Sequence, residues 1–234
     1  MVSQCDHTKE YSSQIKGERV DTREKIMMTA YEVFVEKGFA GARTQEIADR
    51  AGVNKAMLHY YFGNKENLYA ETIIATLGKL FAEIRPAFDD SGFSDEDRLR
   101  RFVTGYVDFI SANPGVPRLL VQDILSGNSK LPGLFETAFE RVGVTRTFPM
   151  VAVLEKGIER GTFRPLSIQH TLISIIGMSL FYFIGKPIVD RVLEVDDADT
   201  TGFLEARKEN IVEILLHGIL TRRGDDRVGS KGAV

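Results

Sequence analysis

The stretch Thr44–Lys65, TQEIADRAGVNKAMLHYYFGNK, constrains the fold more than any other part of the chain. Thr44 is placed to accept a backbone N–H as an N-cap, and Ile47, Ala48 and Ala51 then share one face of a short helix. Gly52 ends that helix, because glycine takes the left-handed conformation just past a helix end at no steric cost. Val53 plugs inward at the corner, and Asn54 restarts the chain as the next N-cap. Two short helices joined by a tight turn are expected, with a third helix starting at about Asn64.

The second short helix, about Lys55 to Phe62, turns only Leu58 and Phe62 inward as an i, i+4 pair. Its other face carries Lys55, Ala56, Met57, His59, Tyr60 and Tyr61. One cation, one imidazole and two phenols suit a core poorly and suit the wall of a DNA major groove well. Lysine and tyrosine reach phosphate oxygens, while alanine and methionine lie against a thymine methyl. A solvent-exposed helix with two stray aromatics fits the same composition, and the residues alone leave both readings open.

The stretch from about Thr22 to Ala70 closely resembles the DNA-binding domain of TetR-family transcriptional regulators. The likeness runs through EKGFAGARTQEIADRAGV and NKAMLHYYFGNKENLYAE. Its most specific mark is His59-Tyr60-Tyr61-Phe62 followed by Lys65-Glu66, and it covers about the first third of the chain. The resemblance implies an all-α protein. An N-terminal three-helix, helix-turn-helix DNA-binding domain would be joined by a connecting helix to a larger helical domain for effector binding and dimerisation. It also implies that the last two helices pair with those of a second copy as a four-helix bundle, and that the connecting helix carries the allosteric displacement.

The totals allow this. The chain has 234 residues and a formal net charge of −3, enough for two modest domains and too acidic for a general polyanion binder. Lys and Arg slightly outnumber Asp and Glu up to residue 65 and the remainder is acidic, a split that suits a small DNA reader on a body that does not touch DNA. The single cysteine, Cys5, builds no disulfide framework, and Met1 to Asp21 lacks the apolar core of a secretory signal, so a reducing cytoplasm is expected. The apolar run Thr171 to Gly185 falls short of the roughly 20 residues of a membrane span and reads as a buried or interface helix.

Taken in order, residues 1–21 are polar and nonperiodic and read as a flexible arm. Residues 22–66 form the DNA-binding domain, whose first helix runs from about Thr22 to Lys37 and stops at Gly38. Residues 67–223 form the effector-binding and dimerisation domain, and 224–234 a tail. A strut helix from Asn64 is broken at Arg85-Pro86. Helices then follow at about 98–111, 117–125, 133–160 with an interruption near Phe148-Pro149, 167–184 and 201–223. The last two are apolar over a wide arc and lie where little chain remains to cover them, so a partner copy is the economical cover. Gly177, Ser174 and Gly218 permit close approach there, and the alternative is that both helices complete a monomer core.

Candidate DNA-contacting residues are Arg43, Thr44, Asn54, Lys55, Ala56, Met57, His59, Tyr60, Tyr61 and Lys65. Lys55, Tyr60, Tyr61, Thr44 and Lys65 are assigned to phosphate, and Ala56, Met57 and His59 to base edges; Lys65 sits at a helix N-terminus, a favourable place for phosphate. Phe102, Tyr106, Phe109, Ile124, Phe135, Phe139, Phe148, Met178 and Tyr182 are candidates for an apolar cavity, although any helical core contains such residues. The expected dimer surface comprises Ile173, Ile176, Leu180, Ile211, Ile214, Leu215 and Gly218.

No P-loop, dinucleotide glycine fingerprint, HExxH or G-x-S-x-G is present, and His170 and His217 have no cysteine beside them, so neither an enzyme, a cofactor nor a metal site is expected. The function expected is a ligand-responsive regulator binding a palindromic double-stranded operator as a homodimer, most simply a repressor released by a small apolar or amphipathic molecule, with no membrane partner. An activator of the same fold, or a helical ligand carrier without DNA, is the alternative.

Overall fold

The computed structural model describes residues 6–88, 92–127, 131–143, 148–195 and 200–221, with side chains from Thr22 onward except that of Leu131. The expected C-terminal tail and Cys5 lie outside the described residues. Ten α-helices occur among those described: α1 Asp6–Gly41, α2 Thr44–Ala51, α3 Lys55–Phe62, α4 Lys65–Ile84, α5 Asp95–Ala112, α6 Gly115–Leu125, α7 Leu131–Arg141, α8 Pro149–Glu159, α9 Ile168–Val192 and α10 Thr200–Ile219. The one β feature there is an isolated antiparallel bridge between Phe163 and Leu220.

Helix α1 starts at Asp6, earlier than its apolar periodicity predicts, and breaks at Gly38 (φ 68°, ψ 173°), the expected stop. The Arg85-Pro86 break also stands, as a 3₁₀ turn over Arg85–Ala87. Helix α5 begins a turn before the expected Arg98 because Ser94 caps it, accepting from the Asp97 amide at 3.0 Å. The stretch 133–160, expected as a helix interrupted near Phe148-Pro149, is two helices, α7 ending at Arg141 and α8 starting with Pro149 in its first turn.

The chain divides into two compact units. One comprises residues up to Leu77 together with Arg118–Phe135, the other Gly78–Pro117 together with Glu136 onward. In the first, Ile26, Ala30, Val33 and Phe34 of α1 are buried with Ile47, Ala48 and Ala51 of α2 and Leu58 and Phe62 of α3. The Phe34 ring meets Tyr69 edge-on, with centroids 4.9 Å apart, and Phe39 meets Tyr69 at 5.0 Å. On the surface, Arg50 spans Glu36 at 2.8 Å and Glu46 at 2.7 Å, and Lys37 reaches Glu46 at 2.6 Å, stitching α1 to α2. The Arg50 hydrogen bond holds the Glu36 carboxyl below its ordinary pKa, and that of Lys37 does the same for Glu46.

The second unit is built round α5, which packs on α8, α9 and α10. Its buried stripe is Leu99, Phe102, Val103, Tyr106, Val107 and Ile110. Two polar ties, each with one buried partner, accompany it. Asp95 accepts from Arg160 at 2.8 Å and from Thr162 at 3.0 Å. Lys208 donates to Asp108 at 2.8 Å and Glu205 at 2.6 Å; burial alone would depress this ammonium's pKa, but the two carboxylates outweigh it and the net shift is upward.

Candidate nucleic-acid interface and ligand cavity

Helix α3 is held from below by two side chains and entered through a formed cap. Leu58 and Phe62 are buried, and the Asn54 side chain accepts from the Met57 amide at 2.8 Å. Gly52, at φ 63° and ψ 34°, makes the corner from α2, as its position after Ala51 predicts. Thr44 is not the cap of α2. It is the first helical residue, Arg43 precedes it in extended conformation, and no side-chain bond caps that end.

With its anchors pointing down, α3 presents Lys55, Ala56, His59 and Tyr60 to the outside, and Met57 and Tyr61 half-buried at the edges. Tyr60 is 69% exposed, and its ring packs edge-on against Tyr61 with centroids 5.2 Å apart. The His59 imidazole is oriented. Its Nδ1 lies 2.6 Å from the Gly63 carbonyl oxygen, which only accepts, so Nδ1 carries the proton of this contact. Arg43 is exposed, whereas Asn54 spends its carbonyl oxygen on the cap.

Lys65 has partners within the chain itself. Its ammonium donates to the Ala42 carbonyl at 2.8 Å and reaches that of Ala40 at 3.5 Å, and it lies 4.5 Å over the Phe39 ring. An ammonium has three donors, and on this half-buried side chain the contacts are to the segment after Gly38. The residue clamps the α1–α2 connection to the start of α4. Periodicity gave no sign of this, since the partners are backbone carbonyls distant in sequence. Nor did it mark Lys25, whose ammonium lies 3.6 Å from where a β-carbon on Gly52 would stand, at the corner leading into α3.

In the second unit Phe81, Phe88, Phe102, Tyr106, Phe139 and Phe148 form one connected aromatic cluster, closest between Phe81 and Phe139 at 4.4 Å. Burial pushes the Tyr106 phenol up to about 12. Beside the cluster lies a cavity of about 490 Å³ whose wall includes Phe81, Phe88, Val142 and Pro149 with the guanidinium-bearing Arg85 and Arg141. Its volume is within the usual range for small-molecule sites, roughly 300–1,000 Å³. The nine residues expected from sequence do not form one wall. Ile124 is 62% exposed, and with Phe135 it belongs to the other unit. Tyr182 packs instead with Phe183 and Phe203, Met178 uses its carbonyl to accept from Arg207, and Phe109 is buried outside the ring cluster. Phe81, Phe88, Arg85 and Arg141 were missed, because the first two read as ordinary core and the arginines as solvated charge.

Helix α9 runs through Lys186 and Pro187 to Val192, 25 residues, long and apolar enough by length and composition to cross a membrane. Ile173, Gly177, Phe181, Ile184, Ile188 and Val192 recur on it at three- and four-residue steps and are all exposed, with Ile214 and Gly218 exposed on α10. Of the expected dimer surface, Ile176 and Leu180 are half-buried. Ile211 and Leu215 are buried within the chain, where α10 meets its own neighbours, and are spent there.

Residues 26–72 match the family model described as bacterial regulatory proteins, tetR family, and residues 96–215 the one described as Tetracyclin repressor-like, C-terminal domain. The chain is 30% identical over 193 residues, 79% of it and 87% of the relative, to the HTH-type transcriptional repressor NicS of Pseudomonas putida. It is 27% identical over 180 residues, 77% of it and 78% of the relative, to the HTH-type transcriptional activator FasR of Mycolicibacterium smegmatis. The crystal structure of HlyIIR, a hemolysin II transcriptional regulator, superposes with a TM-score of 0.57 at 25% identity, covering 87% of this chain and 99% of that one.

Proposed function

The chain belongs to the TetR family of bacterial regulatory proteins and is a ligand-responsive DNA-binding regulator of transcription; from that premise we propose that it is a cytoplasmic repressor, working as a homodimer on a palindromic operator and released by a small amphipathic molecule. The observation that carries this reading is the outward face of α3. Lys55, Ala56, His59 and Tyr60 stand exposed on a helix held by Leu58 and Phe62, which is the arrangement a major-groove reader needs.

Lys55, Tyr60 and Tyr61 hold phosphates, with Arg43 and Thr44 at the neighbouring strand. Ala56, Met57 and the Nε2 of His59 address base edges. A second copy covers the apolar stripe of α9 and α10, which is why those side chains lie open in one chain. The two recognition helices of such a dimer must be separated by a whole number of helical turns, each about 34 Å. A ligand in the cavity beside the aromatic cluster, its apolar part on Phe81 and Phe88 and its polar end near Arg85 and Arg141, need only favour another separation. To carry the population from bound to released it must prefer the released form by several kcal/mol, on the order of 5 for a complete switch. No covalent step enters.

A repressor relative at 30% identity favours repression, while an activator relative at 27% supports the alternative output on the same fold. Selection of bound fragments from random DNA, repeated with amphipathic compounds and followed by reporter assays at the recovered sites, tests the reading. It predicts a palindromic consensus, compounds that release it, and higher transcription on release. Failure to enrich any sequence refutes it, and lower transcription on release transfers it to activation.

A further inference from the structure

The cations described in the first unit divide into those with a partner inside the chain and those without. Arg23 pairs with Glu71 at 3.2 Å, Lys37 with Glu46 at 2.6 Å, and Arg50 with Glu36 and Glu46 at 2.8 and 2.7 Å. Lys65 holds the Ala42 carbonyl at 2.8 Å, and Arg118 reaches that of Glu36 at 3.5 Å. Lys25, Arg43 and Lys55 are exposed and make no ion pair, side-chain hydrogen bond or ring contact among the described residues.

A free cation on a wet surface means little by itself, and position decides what it can do. Lys55 opens α3, and Arg43 precedes α2. Lys25 belongs to α1, yet its ammonium lies 3.6 Å from where a β-carbon on Gly52 would stand, which brings it to the left-handed corner between α2 and α3. Asp49, the nearest carboxylate before that corner, accepts from Gln45 at 2.8 Å and does not pair with the ammonium. Helix α2 therefore carries a free cation at each end, Arg43 before Thr44 and Lys25 beside the glycine that follows Ala51. In a helix-turn-helix the helix before the reader crosses the sugar-phosphate backbone. The eight residues of α2 set its ends roughly 12 Å apart, so cations placed there address separate phosphates.

We propose that Lys25 is a further phosphate anchor, its ammonium binding a backbone phosphate of the duplex at the α2–α3 corner while Arg43 binds another at the far end of α2. The inference rests on the reading of α3 given above and extends the DNA footprint to α1, a helix whose other described cations, Arg23 and Lys37, are held within the chain. A phosphate carries no base identity, so the contact fixes orientation and adds salt-dependent affinity without adding sequence preference.

Fluorescence anisotropy of the full-length protein with a labelled mixed-sequence duplex across a salt series tests this before any operator is known, because the phosphate contribution does not depend on sequence. Lys25→Gln should lower the slope of log affinity against log salt by about 1 and weaken binding several-fold at low salt, and Lys25→Arg should keep both at the parent's values. Lys37→Gln removes the same charge from α1 at a lysine already held by Glu46, and should leave the slope unchanged. Lys25→Gln breaks no internal bond, so its melting temperature should match the parent's and a folding defect cannot stand in for a lost contact. An unchanged slope in Lys25→Gln, with a lower one in Lys55→Ala, overturns the proposal and leaves the α3 reading standing. Unchanged slopes in both overturn the two together. An equal fall in Lys25→Gln and Lys37→Gln also overturns the proposal, since general charge would then account for both.

Discussion

The Lys65 ammonium donates to the carbonyl oxygen of Ala42 at 2.8 Å while lying 4.5 Å over the Phe39 ring. One side chain therefore ties the first turn of α4 to the connection between α1 and α2. A lysine that sequence alone assigns to a phosphate is, in the folded chain, part of what keeps the DNA-reading unit in one shape.

It follows that Lys65→Met lowers stability by about 1–2 kcal/mol, because it removes a charge-assisted hydrogen bond and a cation–π interaction at a partly exposed site. The salt dependence of DNA binding should keep its slope, since the ammonium holds carbonyl groups and not a phosphate. Urea unfolding and binding titrations at several salt concentrations measure the two effects separately. A shallower slope with stability intact would return the residue to the phosphate.

Gly157 stands where no side chain fits. A β-carbon there would lie 2.2 Å from the Phe163 ring, which is itself buried under the end of α8. Gly157→Ala should destabilise by about 1–3 kcal/mol or more through overpacking, against the gain alanine normally brings to a helix. Thermal unfolding checks the sign. Any rise in Tm would contradict the packing described.

Asp123 gives a pH signature. Its folded-state carboxyl is raised by burial, so between its ordinary value and the raised one the folded chain holds a proton that the unfolded chain has released. Stability contributed by that proton is complete below the ordinary value and is lost as pH rises through the folded one. Asp123→Asn, neutral throughout, should leave stability unchanged in acid and raise it at neutral pH. Unfolding curves of both proteins across that range decide it, and parallel profiles would contradict the assignment.

The exposed stripe of α9 predicts an assembly. Phe181 is 65% exposed and Ile188 71%, positions that a lone chain in water gains nothing by filling with such groups. Phe181→Asp with Ile188→Asp should yield monomers at concentrations where the parent is dimeric, with helicity retained. Sedimentation velocity and circular dichroism together test this, and an unchanged dimer would place the interface elsewhere.

How much of this was written in the sequence depends on the range of the interactions. The α2–α3 corner was legible because Gly52, Asn54, Leu58 and Phe62 act on neighbours within one or two turns. The breaks at Gly38 and Pro86 were legible for the same reason. The role of Thr44 was misread by one residue, a small slip at a helix end where no side chain makes the cap. The length of α9 was underestimated because Lys186-Pro187 looks like a stop. There the helix continues, with Lys186 and Asp190 paired along it, and so carries Ile188 and Val192 onto the open stripe. The apolar cavity was only half found. A phenylalanine in a helical core and one beside a cavity have the same local pattern, so Phe139 and Phe148 were named with Ile124, which faces solvent. The approach of the Tyr69 hydroxyl to the Asp123 carboxylate is invisible in sequence, since it is made between two helices far apart along the chain.

The DNA-reading role of this chain depends on α3 meeting the duplex with its exposed face, and the most direct measurement is fluorescence anisotropy of the selected operator across a salt series for the parent, Lys55→Ala and Met57→Ala. The predicted result is that Lys55→Ala weakens binding to operator and unrelated DNA alike and lowers the salt slope by about 1, whereas Met57→Ala keeps the slope and costs about 1–3 kcal/mol on the operator alone. If both variants bind operator and unrelated DNA as the parent does, with the same slope, the exposed face of α3 does not touch DNA and the central claim is wrong.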